Sequence, residues 1–382
     1  MSAMSEDERY RTSTQYRLWS YTPSSLLALR TTTNQIAADR VREAVRRIRE
    51  ARNISSADTS EAENGRAKSV GMEGLVNGGG EVDCLTVEEE LKLVEFYCRQ
   101  TIQLGDHLKV PTDVKATAVQ YIKRFYITNS LMTYHPTDIL KTALFFATKT
   151  ENHYFRLTKF ADAIGKTKPE DVLASEFLLT QGLRFTFDVR HPFRALEGAV
   201  MELQALAKGN VPALPGGGAV DGLRDMERRV KGAHGVAREY LKTSAALTDV
   251  YFHFTPSQIM MAAFLIADKE LVEWYIGSKF PPSQEGMQEK VLEVLEKCAD
   301  MLRTVAPNSE PSAAEKKELS GLAKKLKKCR NPEKMDLVAL QRAKREGDGE
   351  DEKIVKKRKL ERETSSKEAD DLFGPAIKKE QV

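Results

Sequence analysis

Apolar residues along most of this chain recur every three or four positions, the period of helices with one buried face. Leu91, Val94, Cys98 and Ile102 mark a first helix, and Thr86 with Glu89 supplies an N-terminal capping box. Pro111 opens a second helix, with Val114, Ala118, Tyr121, Ile122 and Phe125 on one face. Pro136 opens a third that is apolar on every side, as a central helix must be. LTKFADAIG predicts a short fourth helix ended by Gly165, and Pro169 opens a fifth, EDVLASEFLLTQGL. No strongly alternating stretch competes, and VYFHF is read as the end of a helix because it is short and soon meets a proline.

The pattern repeats. HPTDILKTALFFATK from His135 and TPSQIMMAAFLIADK from Thr255 align without a gap at an offset of 120 residues. Pro136 matches Pro256, Ala143 matches Ala263, and Lys149 matches Lys269; Thr255 and Gln258 form another capping box. Two copies of one buried helix predict two similar helical domains in tandem. KKELSGLAKKLKKC adds a C-terminal helix, with Leu319, Leu322 and Leu326 on one side.

Composition changes this picture at the ends and joints. The stretch from Ser55 to Asp83 is small, polar and glycine-rich and reads as a disordered linker; GNVPALPGGGA interrupts the chain again. Beyond Cys329 the sequence is lysine-rich and reads as a mostly disordered charged tail. The expected divisions are an N-terminal segment and basic helix (1–54), a linker (55–83), a first repeat (84–188), a second repeat (189–307) with an insert near 207–219, a C-terminal helix (308–330) and a tail (331–382).

Among 382 residues, 59 basic and 56 acidic side chains leave a formal charge of +3, which gives no general argument for nucleic acid. No stretch is apolar for long enough to span a bilayer, and MSAMSEDERYR lacks the hydrophobic region of a signal peptide, so no membrane partner is expected. The four cysteines include no CxxC pair and none beside histidine, which argues against a structural metal; reduced thiols in the cytosol or nucleus are the simplest reading. GKT at 165–167 lacks the earlier glycine of a phosphate-binding loop, and no catalytic motif is present, so neither catalysis nor a cofactor is expected.

Five helices around an apolar third, then repeated, is the plan of the cyclin box. YIKRFYITNSLMTYHPTDILKTALFFATKTEN, LLTQGLRFTFDVRHPFRALEG, ALTDVYFHFTPSQIMMAAF, YRLWSYTPSSLLALRTTTNQ and ELSGLAKKLKKCRNP resemble segments of the cyclin family. The nearest branch is the one serving the CDK-activating kinase, and the similarity covers most of Tyr10 to Pro332. The resemblance implies an all-α fold of two tandem five-helix cyclin-box repeats flanked by N- and C-terminal helices. It also implies a non-catalytic regulatory subunit in the nucleus. Its partners would be the cyclin-dependent kinase catalytic subunit, a RING-finger assembly factor and general transcription factor IIH, and its kinase would phosphorylate the RNA polymerase II C-terminal domain.

One lysine gives the resemblance a chemical test. Lys149 ends an apolar run, and Glu176 sits beside Phe177, Leu178 and Leu179. From the residues alone, Lys149 suits the negative end of a helix, and Glu176 suits a solvated helix face. In cyclins these two positions hold the backbone of the kinase's αC helix, so the resemblance makes Lys149 and Glu176 kinase-binding candidates, with Glu151 and Phe155 beside them. Trp19 is either a further anchor for the kinase or a buried core residue. Lys269 is assigned only the helix-end role. The helix IAADRVREAVRRIREAR sets six arginines against three acids, which reads equally as a solvated face or a partner surface. Lys356, Lys357, Arg358 and Lys359 fit a nuclear localisation signal. The rival reading is a cyclin-fold general transcription factor that binds DNA. From Cys84 to Arg190, 14 basic residues face 13 acidic ones, a balance suited to a protein partner, and no direct DNA binding is expected.

Overall fold

The computed structural model describes residues 6–57, 82–165, 167–208, 223–280 and 285–332, and every regular element among them is a helix. Two short helices, α1 (Glu6–Thr12) and α2 (Thr14–Trp19), lead into the long α3 (Pro23–Ala57). The first repeat contains α4 (Val87–His107), α5 (Thr112–Thr128), α6 (Pro136–Thr150) and α7 (Leu157–Ile164). Its fifth helix is in two pieces, α8 (Pro169–Leu173) and α9 (Glu176–Gly182). The second repeat contains α10 (Phe193–Ala207) and α11 (Leu223–Lys242), followed by single turns α12 (Ser244–Leu247) and α13 (Val250–His253). It continues with α14 (Pro256–Ala267), α15 (Lys269–Lys279) and α16 (Glu285–Arg303), and α17 (Ala313–Lys328) is the last helix among the described residues. Helix α3 runs through Ala57, so residues 55–57, assigned above to the linker, are helical. Linker residues 58–81, the insert from residue 209 onward and the tail with Lys356–Lys359 lie outside the described residues, whereas Val82 at the linker's end packs into the core.

The expected caps are present. Thr86 Oγ1 accepts from the Glu89 N–H while the Glu89 carboxylate accepts from the Thr86 N–H, and Thr255 with Gln258 repeats the arrangement. Each all-apolar helix sits at the centre of its repeat. Ile139, Ala143, Leu144 and Ala147 of α6 are buried, as are Ile259, Ala262, Ala263 and Phe264 of α14. Full burial of one such large side chain contributes about 1.5–3 kcal/mol.

The predicted fifth helix breaks at Ala174–Ser175. The Val172 carbonyl, which a continuous helix would give to the Glu176 N–H, accepts instead from Thr142 Oγ1 of α6 at 2.6 Å. Glu176 therefore begins a new helix, where its charge suits the positive end. Gly182 holds this short helix close to α5: a Cβ there would stand 2.5 Å from the Phe125 ring.

Two polar networks join the repeats. In one, the buried Lys123 of α5 donates to the carbonyls of Leu247 and Thr248 and lies 3.2 Å from Asp249. Arg30 of α3 grips the same carboxylate through two bonds of 2.7 and 3.0 Å. Burial alone would raise the Asp249 pKa, but Lys123 and Arg30 outweigh it and hold the carboxyl well below its ordinary range. The segment before α3 reinforces the junction. The Tyr21 N–H donates to the Phe252 carbonyl, and Trp19, Leu26, Ile127 and Phe252 form a small separate core.

The second network crosses the linker between repeats. Thr117 Oγ1 donates to Glu151 at 2.6 Å, so its contact with His191 Nε2 at 2.7 Å requires the ring to carry the proton there. His191 Nδ1 is then left to accept from the Tyr251 hydroxyl at 2.9 Å. Burial, with Arg124 adding to it, pushes the His191 pKa down to about 3. Burial and then Arg330, Lys327 and Lys141 bring His135 to about 4. Both rings are neutral in the fold, whereas an unfolded histidine takes a proton near pH 6.5. Their stabilisation is full above that value and falls as pH drops toward 4 and 3. At pH 5 each histidine should cost about 2 kcal/mol. Urea melts at pH 7 and pH 5 should show this loss, and His191→Gln should shrink it by about 2 kcal/mol.

A preformed cation–anion clasp on the first repeat

The last turn of α6 and the first turn of α9 come together on one side of the first repeat. Lys149 Nζ donates to both oxygens of Glu176, at 2.7 and 2.8 Å. The ammonium also lies 4.8 Å from the centre of the Phe145 ring, which faces it with π density. The Lys149 side chain is 42% exposed and that of Glu176 27%, so the pair is formed in the free chain yet open to a partner. An ion pair this exposed adds at most about 1 kcal/mol to folding. Nearby in sequence, Tyr154, Phe177 and Phe185 are exposed large apolar side chains.

The arrangement has specific valence. An ammonium offers only donors and a carboxylate only acceptors, so together they match the C=O and N–H groups of a main chain without reading its side chains. Helix ends and irregular turns leave such groups unpaired.

The other candidates are placed differently. Glu151 caps α6 and accepts from Thr117, so its carboxylate is committed to the network between repeats. Phe155 is half-buried and packs edge-on against Phe160, with ring centres 5.6 Å apart. Trp19 is wholly buried, the placement of the second of its two readings, a core residue. Its Nε1–H donates to Thr186 Oγ1 at 2.9 Å, and the guanidinium groups of Arg124 and Arg184 each lie 5.1 Å from its ring. On α3, Ala37, Val41, Ala44 and Val45 are buried, while Arg46 and Arg47 approach Glu43 and Arg42 approaches Asp39.

The second repeat reproduces the pair. Lys269 Nζ donates to Glu296 at 2.8 Å across the same 27-residue separation. Glu296 is Glu176 shifted by 120 positions, the offset already seen in the helices, and Ser175/Leu295 and Leu179/Ala299 are buried alike. Applying that offset to Glu176 would have found Glu296 in the sequence. Among the described residues no group of histidine, cysteine or carboxylate side chains could hold a metal ion, and no helix is long and apolar enough to cross a membrane.

Two five-helix repeats, each built around an apolar third helix and each carrying a lysine–glutamate pair, define a tandem helical docking scaffold. Residues 93–188 match the family model of the cyclin N-terminal domain, and residues 191–303 match that of the cyclin C-terminal domain. The chain belongs to the cyclin family. It is 35% identical over 288 residues to Cyclin CCL1 of Saccharomyces cerevisiae, spanning 75% of this chain and 65% of that relative's length. It is 30% identical over 325 residues to Cyclin mcs2 of Schizosaccharomyces pombe, covering 85% of this chain and 86% of that one. Among solved structures it is similar to a chain of the CAK complex of Chaetomium thermophilum bound to ATP-gamma-S. That match has a TM-score of 0.72 at 39% identity, over 90% of this chain and 96% of the other. A chain of the yeast TFIIK (Kin28/Ccl1/Tfb3) complex matches with a TM-score of 0.53 at 29% identity, over 77% and 100%.

Proposed function

We propose that this chain is the regulatory cyclin of a CDK-activating kinase. It binds the kinase catalytic subunit through Lys149 and Glu176 and performs no chemistry itself. The assembly, with a RING-finger factor as third chain, acts within general transcription factor IIH in the nucleus. Its substrates are the RNA polymerase II C-terminal domain and other cyclin-dependent kinases. The observation that carries this reading is the likeness, at 39% identity, to a chain of a CAK complex. The ready-formed Lys149–Glu176 pair supplies a physical means.

Activation is a population shift. A kinase must swing its αC helix inward for its glutamate to pair with the lysine that orients ATP. A rigid surface that binds only the inward state draws the equilibrium toward it, in proportion to its preference for that state. The clasp suits this task because its two charges are held on separate helices of one packed core, α6 by its burial and α9 by Gly182 against Phe125.

The test is co-expression with the cognate kinase, followed by phosphorylation of a polymerase C-terminal-domain peptide with and without this chain. Co-purification and a rise in rate of about 100-fold or more, the scale of a shift exceeding 2.7 kcal/mol, are expected. A kinase equally active alone would refute the proposal.

A further inference from the structure

A cavity of about 430 Å³ opens between α3 and the turn that links α5 to α6, and it shares no lining residue with the Lys149–Glu176 pair. Helix α3 contributes Ile36, Arg40 and Arg47, and the turn contributes Asn129, Thr133 and Tyr134. The end of a helix ordinarily presents bare carbonyls to such a space. Here they are taken. The Phe125 carbonyl accepts from Asn129 Nδ2 at 3.0 Å, and that of Ile127 from Thr33 Oγ1 at 2.8 Å. The Ser130 carbonyl accepts from the N–H groups of Thr133 and Tyr134, that of Met132 from the Asn331 N–H, and that of Tyr134 from the Tyr126 hydroxyl. The donors are still open. Arg40 is exposed, and neither it nor the Thr133 hydroxyl makes a hydrogen bond or ion pair to a described residue. No acid lines the cavity. Glu43 stands 3.6 Å from Arg47, Asp39 is held by Gln35 and Arg42, and the buried Glu90 accepts from Ser130 Oγ and the Leu131 N–H. A cavity whose acceptors are filled and whose guanidinium is open selects an anion.

We infer that this cavity binds the phosphorylated side chain of a serine or threonine in a peptide segment of a partner protein. A phosphate monoester carries a charge of about −1.5 to −2 near pH 7 and meets a guanidinium through two parallel N–H···O bonds. The size of the cavity favours a peptide over a free ion. A bare phosphate, equal to only a few water volumes of about 30 Å³ each, would leave most of the space empty. Ile36, 46% exposed, and the half-buried Tyr134 form an apolar wall that a neighbouring side chain of the peptide would cover. A nucleic acid spreads single charges along a strand and needs a row of cations, whereas this site offers one confined basic pocket. The inference is independent of the kinase contact proposed for Lys149 and Glu176.

The test uses the full chain, immobilised and offered short degenerate peptides with a fixed central phosphoserine, beside the same pool with serine. Roughly tenfold more of the phosphoserine pool should be retained. Arg40→Gln should remove that preference with an unaltered melting temperature, because Arg40 braces nothing among the described residues. Arg46→Gln, on the same helix but outside the cavity, should keep it. Equal retention of the two pools overturns the inference. So does a preference weakened alike by the Arg40 and Arg46 changes, which would make the attraction a diffuse effect of charge. Inorganic phosphate at the peptide's own concentration, and a single-stranded oligonucleotide, are added as competitors. Displacement of the peptide by either one assigns the cavity to a different ligand and overturns the inference as well.

Discussion

Lys149→Ala and Glu176→Ala are each expected to weaken kinase binding by about 2–5 kcal/mol, roughly 30-fold to several thousand-fold. Folding should scarcely change. The free pair is open to water, and its loss costs at most about 1 kcal/mol of stability. The effect arises on docking, when water is excluded and the remaining charge is buried without its neighbour. Each charge-assisted bond to the kinase backbone should contribute about 1.5–3 kcal/mol under those conditions. Removing both residues should cost less than the sum of the single changes, because no lone charge is then trapped. Titration of labelled kinase with each variant, beside thermal melts of the free chain, separates the two levels. A double variant whose affinity stays within threefold of the parent would end this account of the contact.

The second large effect concerns stability. Asp249→Ala should destabilise the fold by about 3 kcal/mol, since it strands the buried Lys123 and removes the anchor of Arg30. At about 2–4 °C per kcal/mol for chains of this order of size, the melting temperature should fall by roughly 6 °C or more. Asp249→Asn keeps hydrogen-bonding atoms and should cost less. The carboxyl remains ionised well below the ordinary aspartate range, so this contribution is present above about pH 4, the unfolded value, and is lost only as pH falls further toward the depressed folded value. Equal melting temperatures for Asp249→Ala and the parent would show that the network is incidental.

What the sequence disclosed and what it hid follow from how far each feature reaches. Capping boxes, proline starts and apolar central helices depend on residues within a turn or two, and they appear where expected. Lys149 and Glu176 could be paired before any coordinates because the family pattern names both. The break before Glu176 was not legible, since it coincides with a bond to the Val172 carbonyl from Thr142, thirty residues earlier. The burial of Trp19 depends on Thr186, 167 residues away. Lys123 sits between apolar neighbours in YIKRF, and its partner Asp249, 126 residues later, could not be named from that local pattern. Lys269 was assigned the end of the repeated helix because the family pattern gives its repeat no kinase contact; that helix instead stops at Ala267, and Lys269 begins the next one, paired with Glu296.

The docking of the N-terminal segment sets an order of events during synthesis. Arg30 is bound by Asp249, 219 residues later, and Tyr21 by Phe252. At about 5–20 residues per second, the ribosome needs roughly 10–45 s to make the intervening chain. For that interval α3 can pack on the first repeat through Thr33 and Asn34, but its N-terminal end lacks its partners in the second repeat, and Leu26 is uncovered on the side of Phe252. The segment translated first is therefore among the last to settle, and an expressed fragment stopping after the first repeat would present a sticky, unfinished surface to the cell.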